Sequence, residues 1–177
     1  GLVFGSTGSG TLENVWIGYG GSGGNLTADG ATVYLRHAFV GYSAGNGLRW
    51  KNGAGGEISD VTVERNLSHG LHLTGSSDPS VSANTIIHNR SYAVYMEGNC
   101  APVFTANTVY GNGYNAVGVY GTVSSTTWQA DLPYVAAQSL AVESGSMLTL
   151  KPGAVVKFLS GNSLIVRGGL AESGTTT

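Results

Sequence analysis

Two segments, Ala83–Asn89 (ANTIIHN) and Ala106–Asn112 (ANTVYGN), repeat the order Ala-Asn-Thr-apolar-x-x-Asn at a distance of 23 residues. A period of that size is too short for a domain and suits one coil of a solenoid. Carried outward in steps of 23, the same ruler finds apolar residues at Leu2, Leu48, Leu71, Val94, Val117 and Leu140, with Asn25 breaking the series. Two residues further on it finds Phe4, Trp50, Leu73, Met96, Val119 and Val142, with Thr27 as the exception. The position just before the first column is confined to small residues: Gly1, Gly24, Gly47, Gly70, Ala93, Ala116 and Ser139.

A second pair of apolar columns follows the same spacing. Leu12, Leu35, Ile58, Val81 and Phe104 form one, and Ile17, Val40, Val63, Ile86 and Val109 the other, with Val15, Ala38, Val61, Asn84 and Asn107 between them. Within each copy the apolar residues recur at spacing two, in short segments rich in Gly and β-branched residues, which is strand periodicity. One such coil has nothing to bury its apolar face against. Stacked coils do, because each strand then pairs with its equivalents above and below at about 4.8 Å. The expected fold is all-β, a right-handed parallel β-helix of about seven to eight coils, the hand being that of parallel crossovers generally.

Ser43, Asn66, Asn89 and Asn112 also lie 23 apart, where the chain turns. Asn tolerates left-handed backbone, and stacked amides can hydrogen-bond from coil to coil as a ladder. The two quoted segments resemble the Asn-Thr-Ile-x-x-Asn signature of the right-handed parallel β-helix repeat family, the pectate-lyase-like superfold, of the prokaryotic secreted or surface type. That resemblance covers Leu12 to Tyr120 and implies an architecture far more than an activity.

The whole chain, 1–177, reads as one domain. Coils of 23 residues fill 1–122, a loop-rich irregular coil is expected over 123–139 as a longer loop bulging outward, and 140–177 continues with coils of 24. In the last region Leu140, Leu148, Val156 and Leu164 are eight apart, with Val142, Leu150, Phe158 and Val166 two residues on.

Composition narrows the function classes. There are 29 glycines, only 8 basic and 10 acidic residues, and 41% apolar residues, so the chain can fold and is not a charged linker. A formal charge of −2 without a basic cluster argues against a nucleic-acid partner, and no apolar run approaches a membrane span. The chain does not open on Met and contains no leader segment, which leads us to expect a processed product or an excised piece. Low charge with abundant Gly, Ser, Thr, Asn and Tyr suits an extracellular or cell-surface location. A single cysteine, Cys100, excludes an internal disulfide framework.

Four groups of residues invite a chemical reading. His69 and His72 flank a glycine, but on a strand His72 points outward between Leu71 and Leu73 while His69 sits at the turn. They are expected to diverge, and with no third partner neither metal nor cofactor is expected. The best acidic and basic cluster is His37, Asp60, Glu64 and Arg65, since His37 and Asp60 share a column and Glu64 follows on the same strand. It lacks the paired carboxylates of a glycosidase and the acids plus base of a calcium-dependent lyase, so catalysis is the minority expectation. Tyr92, Tyr95, Tyr110, Tyr114 and Tyr120 are expected to cover strand surfaces, with carbohydrate stacking as the alternative. Of the sequons at Asn25, Asn66 and Asn89, the last two belong to the ladder, leaving Asn25 as the acceptor position.

The ends of a β-helix expose unpaired strand edges over apolar core. Leu2 and Phe4 at one end, and Leu164, Val166 and Leu170 at the other, form the expected assembly interface. The leading expectation is a structural building block of an extracellular filament, fibre or surface layer, partnered by copies of itself head to tail or forming one unit of a tandem array. The alternative is part of a secreted carbohydrate-active or carbohydrate-binding β-helix, with surface carbohydrate as partner.

Overall fold

A computed structural model describes residues 1–173, so positions 174–177 of the expected terminal region lie outside the described residues. Leu26, Leu48, Leu71, Val94 and Val117 stand in one column because the backbone ladder joins each to the next in parallel. That column belongs to a nine-stranded sheet that runs from Leu2–Phe4 through Tyr134–Val142 to Val156–Phe158 and Leu164–Val166. An eight-stranded sheet holds the second set of columns, from Ser9–Glu13 and Trp16–Gly18 to Val103–Thr105 and Thr108–Tyr110. A three-stranded sheet, Thr126–Trp128 with Met147–Leu150 and Gly169–Glu172, takes over beyond it. The architecture is an all-β parallel solenoid of about seven coils, each of roughly 23 residues.

Its core is the interior of the coils. Leu35, Ile58 and Val81 pair in register from the second sheet, and Leu48, Leu71 and Trp50 face them from the first, all buried. The Trp50 indole N–H donates to the Gly55 carbonyl at 3.0 Å, which offsets the cost of burying it. Glycine in the small-residue column is a packing requirement. A Cβ on Gly70 would collide with the Ile86 side chain and lie 2.7 Å from the Ala93 carbonyl oxygen.

Two of the corners at which the coils turn are columns of left-handed, mostly non-glycine residues. Asn14, His37, Asp60, Ala83 and Ala106 have φ between 48° and 57°, and Tyr19, Tyr42, Arg65 and His88 between 52° and 59°. Asn, Asp and His are enriched in this region because their short polar side chains bond locally, and only strong packing imposes it on Tyr or Ala.

Four expectations are corrected. Asn25 does not occupy the apolar column: Leu2 pairs with Leu26 and Leu26 with Leu48, so Leu26 and Ala28 fill the places that a strict ruler gives to Asn25 and Thr27. One extra residue in the Gly-rich turn before them, offset by one fewer after, keeps the core apolar. Leu140 does not follow Val117; Val117 pairs with Tyr134, the register then shifts, and Leu140 pairs with Gly121. The 123–139 segment does not bulge outward. Its Trp128, Leu132 and Tyr134 are too apolar to leave in water, and they turn in, with Trp128 stacked on Tyr134 at 4.5 Å between ring centroids. The spacing of 24 holds for Leu140 and Leu164, whereas Leu148 pairs with Leu170 and Tyr134 with Val156, each 22 apart.

Candidate functional site

The interior polar groups are structural. The Asn66 side-chain amide donates to Asn89 Oδ1 at 2.8 Å, and Asn89 in turn to Asn112 Oδ1 at 2.9 Å. Ser43 keeps its place in the column but not in the amide chain: its backbone N–H donates to Asn66 Oδ1 at 3.0 Å, while its hydroxyl accepts the Gly45 N–H at 3.1 Å and donates to the Gly21 carbonyl one coil earlier at 2.8 Å. Asn25 supplies the next amide, donating to Asn66 Oδ1 at 3.2 Å and to the Gly41 carbonyl at 2.8 Å. Fully buried and so bonded, Asn25 has no room for a glycan, which removes it as an acceptor position. A second ladder went unread in the sequence although its residues stand in register: Val61 N–H to Asn84 Oδ1 at 2.9 Å, then Asn84 Nδ2 to Asn107 Oδ1 at 3.0 Å.

The surface groups divide between two faces. On the outer side of the long sheet the two histidines converge instead of diverging, with ring centroids 5.5 Å apart. His69 lies flat on Tyr95 at 4.4 Å and accepts the Tyr92 N–H on Nδ1 at 3.3 Å. The turn carries His69 over the sheet, where stacking holds it. Burial pushes its pKa down to about 4, with the neighbouring His72 adding to the effect, and burial likewise lowers that of His72. Tyr92 and Tyr114 stack at 4.3 Å and Tyr95 and Tyr120 at 4.8 Å, so the strip is a covering of the sheet. Among the described residues no group of three or more His, Cys, Asp or Glu side chains is placed to hold a metal ion.

The other face lies between the two left-handed corners. The repeated order aromatic-aliphatic-Gly-Tyr, Trp16–Tyr19 (WIGY) and Phe39–Tyr42 (FVGY), sets four aromatic residues on two successive coils. The ring planes of Trp16 and Phe39 are 7° apart at 5.5 Å, and those of Tyr19 and Tyr42 17° apart at 5.5 Å. Each of the first two rings lies across the glycine two residues on; a Cβ on Gly41 would stand 2.7 Å from the Phe39 ring, and one on Gly18 would overlap Trp16. Trp16 is 56% and Tyr19 73% exposed, so these rings are not core. The tyrosine expectation missed them, although the 23-residue spacing of WIGY and FVGY was there to be read.

The acidic and basic candidates border this face. His37 Nδ1 and Asp60 Oδ2 are 2.7 Å apart at one corner, with Glu13 3.9 Å from His37 Nε2. Glu64 and Arg65 form an ion pair at the other, where Arg65 also donates to the Tyr42 hydroxyl at 3.2 Å. Arg36 and Glu57 pair nearby at 2.5 Å, and that hydrogen bond holds the Glu57 carboxyl below its ordinary range. No hydrogen bond or ion pair links the His37–Asp60 pair to the Glu64–Arg65 pair among the described residues. They form two small pairs and not one convergent centre.

The asparagine ladders, the parallel coils and the period of 23 are matched by the family comparison: residues 1–130 fit the model described as right-handed β-helix region. The chain belongs to the right-handed β-helix family. No curated protein and no solved structure matches it. Membership in the β-helix family accounts for the interior ladders and leaves the outer faces, where this chain's own residues differ coil by coil, to carry function.

Proposed function

We propose that this β-helix is a structural element of an extracellular fibre, filament or surface layer, extended by end-to-end stacking of coils. The neighbouring segment is a second copy or further coils on one polypeptide. The observation that carries the reading is the pair of end coils. Leu2–Phe4 pairs on one side only, with Leu26–Asp29, and Leu2 is 42% exposed. At the opposite end Leu164–Val166 and Gly169–Glu172 pair on one side only among the described residues, and Val166 and Leu170 stand exposed beside half-buried Leu164. Apolar edges of this kind favour addition of another parallel strand, with apolar burial worth about 25 cal/mol per Å² and new ladder hydrogen bonds acting together.

What supports a non-enzymatic role is that the acids and bases form separate pairs instead of converging. Low charge and the absence of a disulfide framework are compatible with the cell-surface setting of the proposal.

Negative-stain electron microscopy of the concentrated, tag-free chain tests it. Filaments with a subunit rise of about 35 Å, seven coils at about 4.8 Å each, are expected. Leu170→Lys at one end and Leu2→Lys at the other should each give folded, shorter or unassembled particles, because a junction would bury the charge. Monomers from the unsubstituted chain with the same hydrodynamic size as both variants would defeat the proposal.

A further inference from the structure

The geometry points to Trp16, Tyr19, Phe39 and Tyr42 as a binding platform for a neutral polysaccharide, lying on the outer side of the first two coils. Three observations carry this. First, Trp16, Tyr19 and Tyr42 stand exposed with Phe39 half-buried among them: the glycines at 18 and 41 let Trp16 and Phe39 lie across their own strands, and the left-handed corner turns Tyr19 and Tyr42 onto the same side. A monomeric protein leaves rings so grouped in water only at some cost, and such patches mark interaction sites.

Second, the chemistry along the axis changes in one step. The outward column that begins with Trp16 and Phe39 continues as Thr62, Thr85 and Thr108, and the corner column that begins with Tyr19 and Tyr42 continues with Arg65. A sugar chain running along the axis meets flat rings for its apolar C–H faces and then hydroxyl, carboxylate and guanidinium groups for its hydroxyls. Glu64 is paired with Arg65 at one corner, and Glu13 and Asp60 flank His37 at the other, so the rim offers hydrogen-bonding groups with no basic excess, which suits an uncharged ligand over a polyanion.

Third, the patch is small. Aromatic side chains of about 150–250 Å² at these exposures present on the order of 400 Å². A standard protein–protein interface needs about 800 Å² from each partner, so a protein or a second copy fits this face poorly.

The test uses the full chain with hydroxyethyl cellulose, galactomannan, xylan and dextran as probes in affinity electrophoresis, and polygalacturonate as the charged comparison. Retardation by at least one neutral probe and not by polygalacturonate is expected. Trp16→Ala and Tyr19→Ala should each weaken it roughly tenfold or more, as loss of a central aromatic contact does. Both side chains are more than half exposed, so melting curves should stay close to the parent's. Trp50 and Trp128 are buried, so a blue shift of tryptophan emission on binding should vanish in Trp16→Phe. Tyr114→Ala, on the opposite face, should bind like the parent. Failure of all four neutral probes, retention of binding in Trp16→Ala, or loss of binding in Tyr114→Ala alone would overturn the proposal. Sedimentation showing a dimer that Trp16→Ala dissociates would place a second copy on the patch and overturn it equally. Filament formation is tested separately by the variants at Leu2 and Leu170, neither of which belongs to the platform.

Discussion

Asp131 ends the second asparagine ladder by receiving Asn107: its carboxylate accepts the Asn107 side-chain amide at 2.8 Å and the Asn107 backbone N–H at 3.2 Å. A carboxylate accepts without needing to donate, so it is a natural terminus for a chain of amides that each do both. Asp131→Ala should leave two donors unpaired in a half-buried setting and cost about 1–3 kcal/mol. Asp131→Asn should recover most of that, because Oδ1 can still accept. Chemical denaturation of the three proteins measures it, and equal stability of Asp131→Ala and the parent would remove the cap from the account.

Asn89 holds more bonds than any single column position suggested. It accepts from the Asn66 N–H and Nδ2 at 3.1 and 2.8 Å, and its own Nδ2 donates to the Val63 carbonyl at 3.1 Å and to Asn112 Oδ1. Asn89→Leu matches the size but leaves these partners orphaned in the interior, at roughly 1–3 kcal/mol for each group that finds no water. Asn89→Asp keeps the acceptor and loses the donor, so it should be destabilising as well, most of all near neutral pH where the side chain is charged. Thermal melts should rank parent, then either variant well below.

The difference between these two residues shows what a sequence can reveal of this fold. Asn89 was legible because its column recurs at the turn with little else in it, and apolar columns such as Leu35, Ile58 and Val81 were legible because burial enforces them in every coil. Asn107 stood in a column whose first members are Val15, Ala38 and Val61, and only a structure shows the backbone N–H of Val61 handing over to an amide. Asp131 has no repeat at all. Insertions defeated the ruler where turns absorb them, as at Asn25, whose amide entered the ladder while Leu26 took the core. The outer face was least legible, since Trp16 and Phe39 give way to Thr62 after two coils, and solvent imposes no periodicity. His37, Asp60 and Arg65 drew notice as chemistry, yet their first duty is to turn the chain with positive φ.

The small-residue column is closely packed, so Gly70→Val should cost about 1–3 kcal/mol by overpacking against Ile86 and the Ala93 carbonyl. Ala93→Gly, one coil on, loses a buried methyl group and loosens the unfolded backbone, and should cost about 1–2 kcal/mol without any clash. Urea midpoints measure both. A Gly70→Val variant as stable as the parent would mean that neighbouring coils can shift, contrary to their register.

His69 makes stability depend on pH in a defined window. Its imidazole is mostly covered, stacked on Tyr95, and accepts the Tyr92 N–H through Nδ1, an arrangement open only to the neutral ring. Its pKa falls from the ordinary 6.5 to about 4, through burial first and then the neighbouring His72. In the unfolded chain the ring takes up a proton as pH drops through about 6.5; in the folded chain it resists until about 4. Between those values the unfolded state binds more protons, so stability must fall as pH is lowered across the window and level off below it. His72, lowered by burial and by Arg49, acts in the same direction. The carboxylates of Glu57 and Asp29, held below their ordinary values by Arg36 and Lys51, lose their contribution only at lower pH, so the two effects are separable. Melting temperature measured from pH 7.5 to pH 4 should decline for the parent and decline less for His69→Gln, which cannot take up the proton. Parallel curves for the two proteins would show that His69 is not the group that titrates.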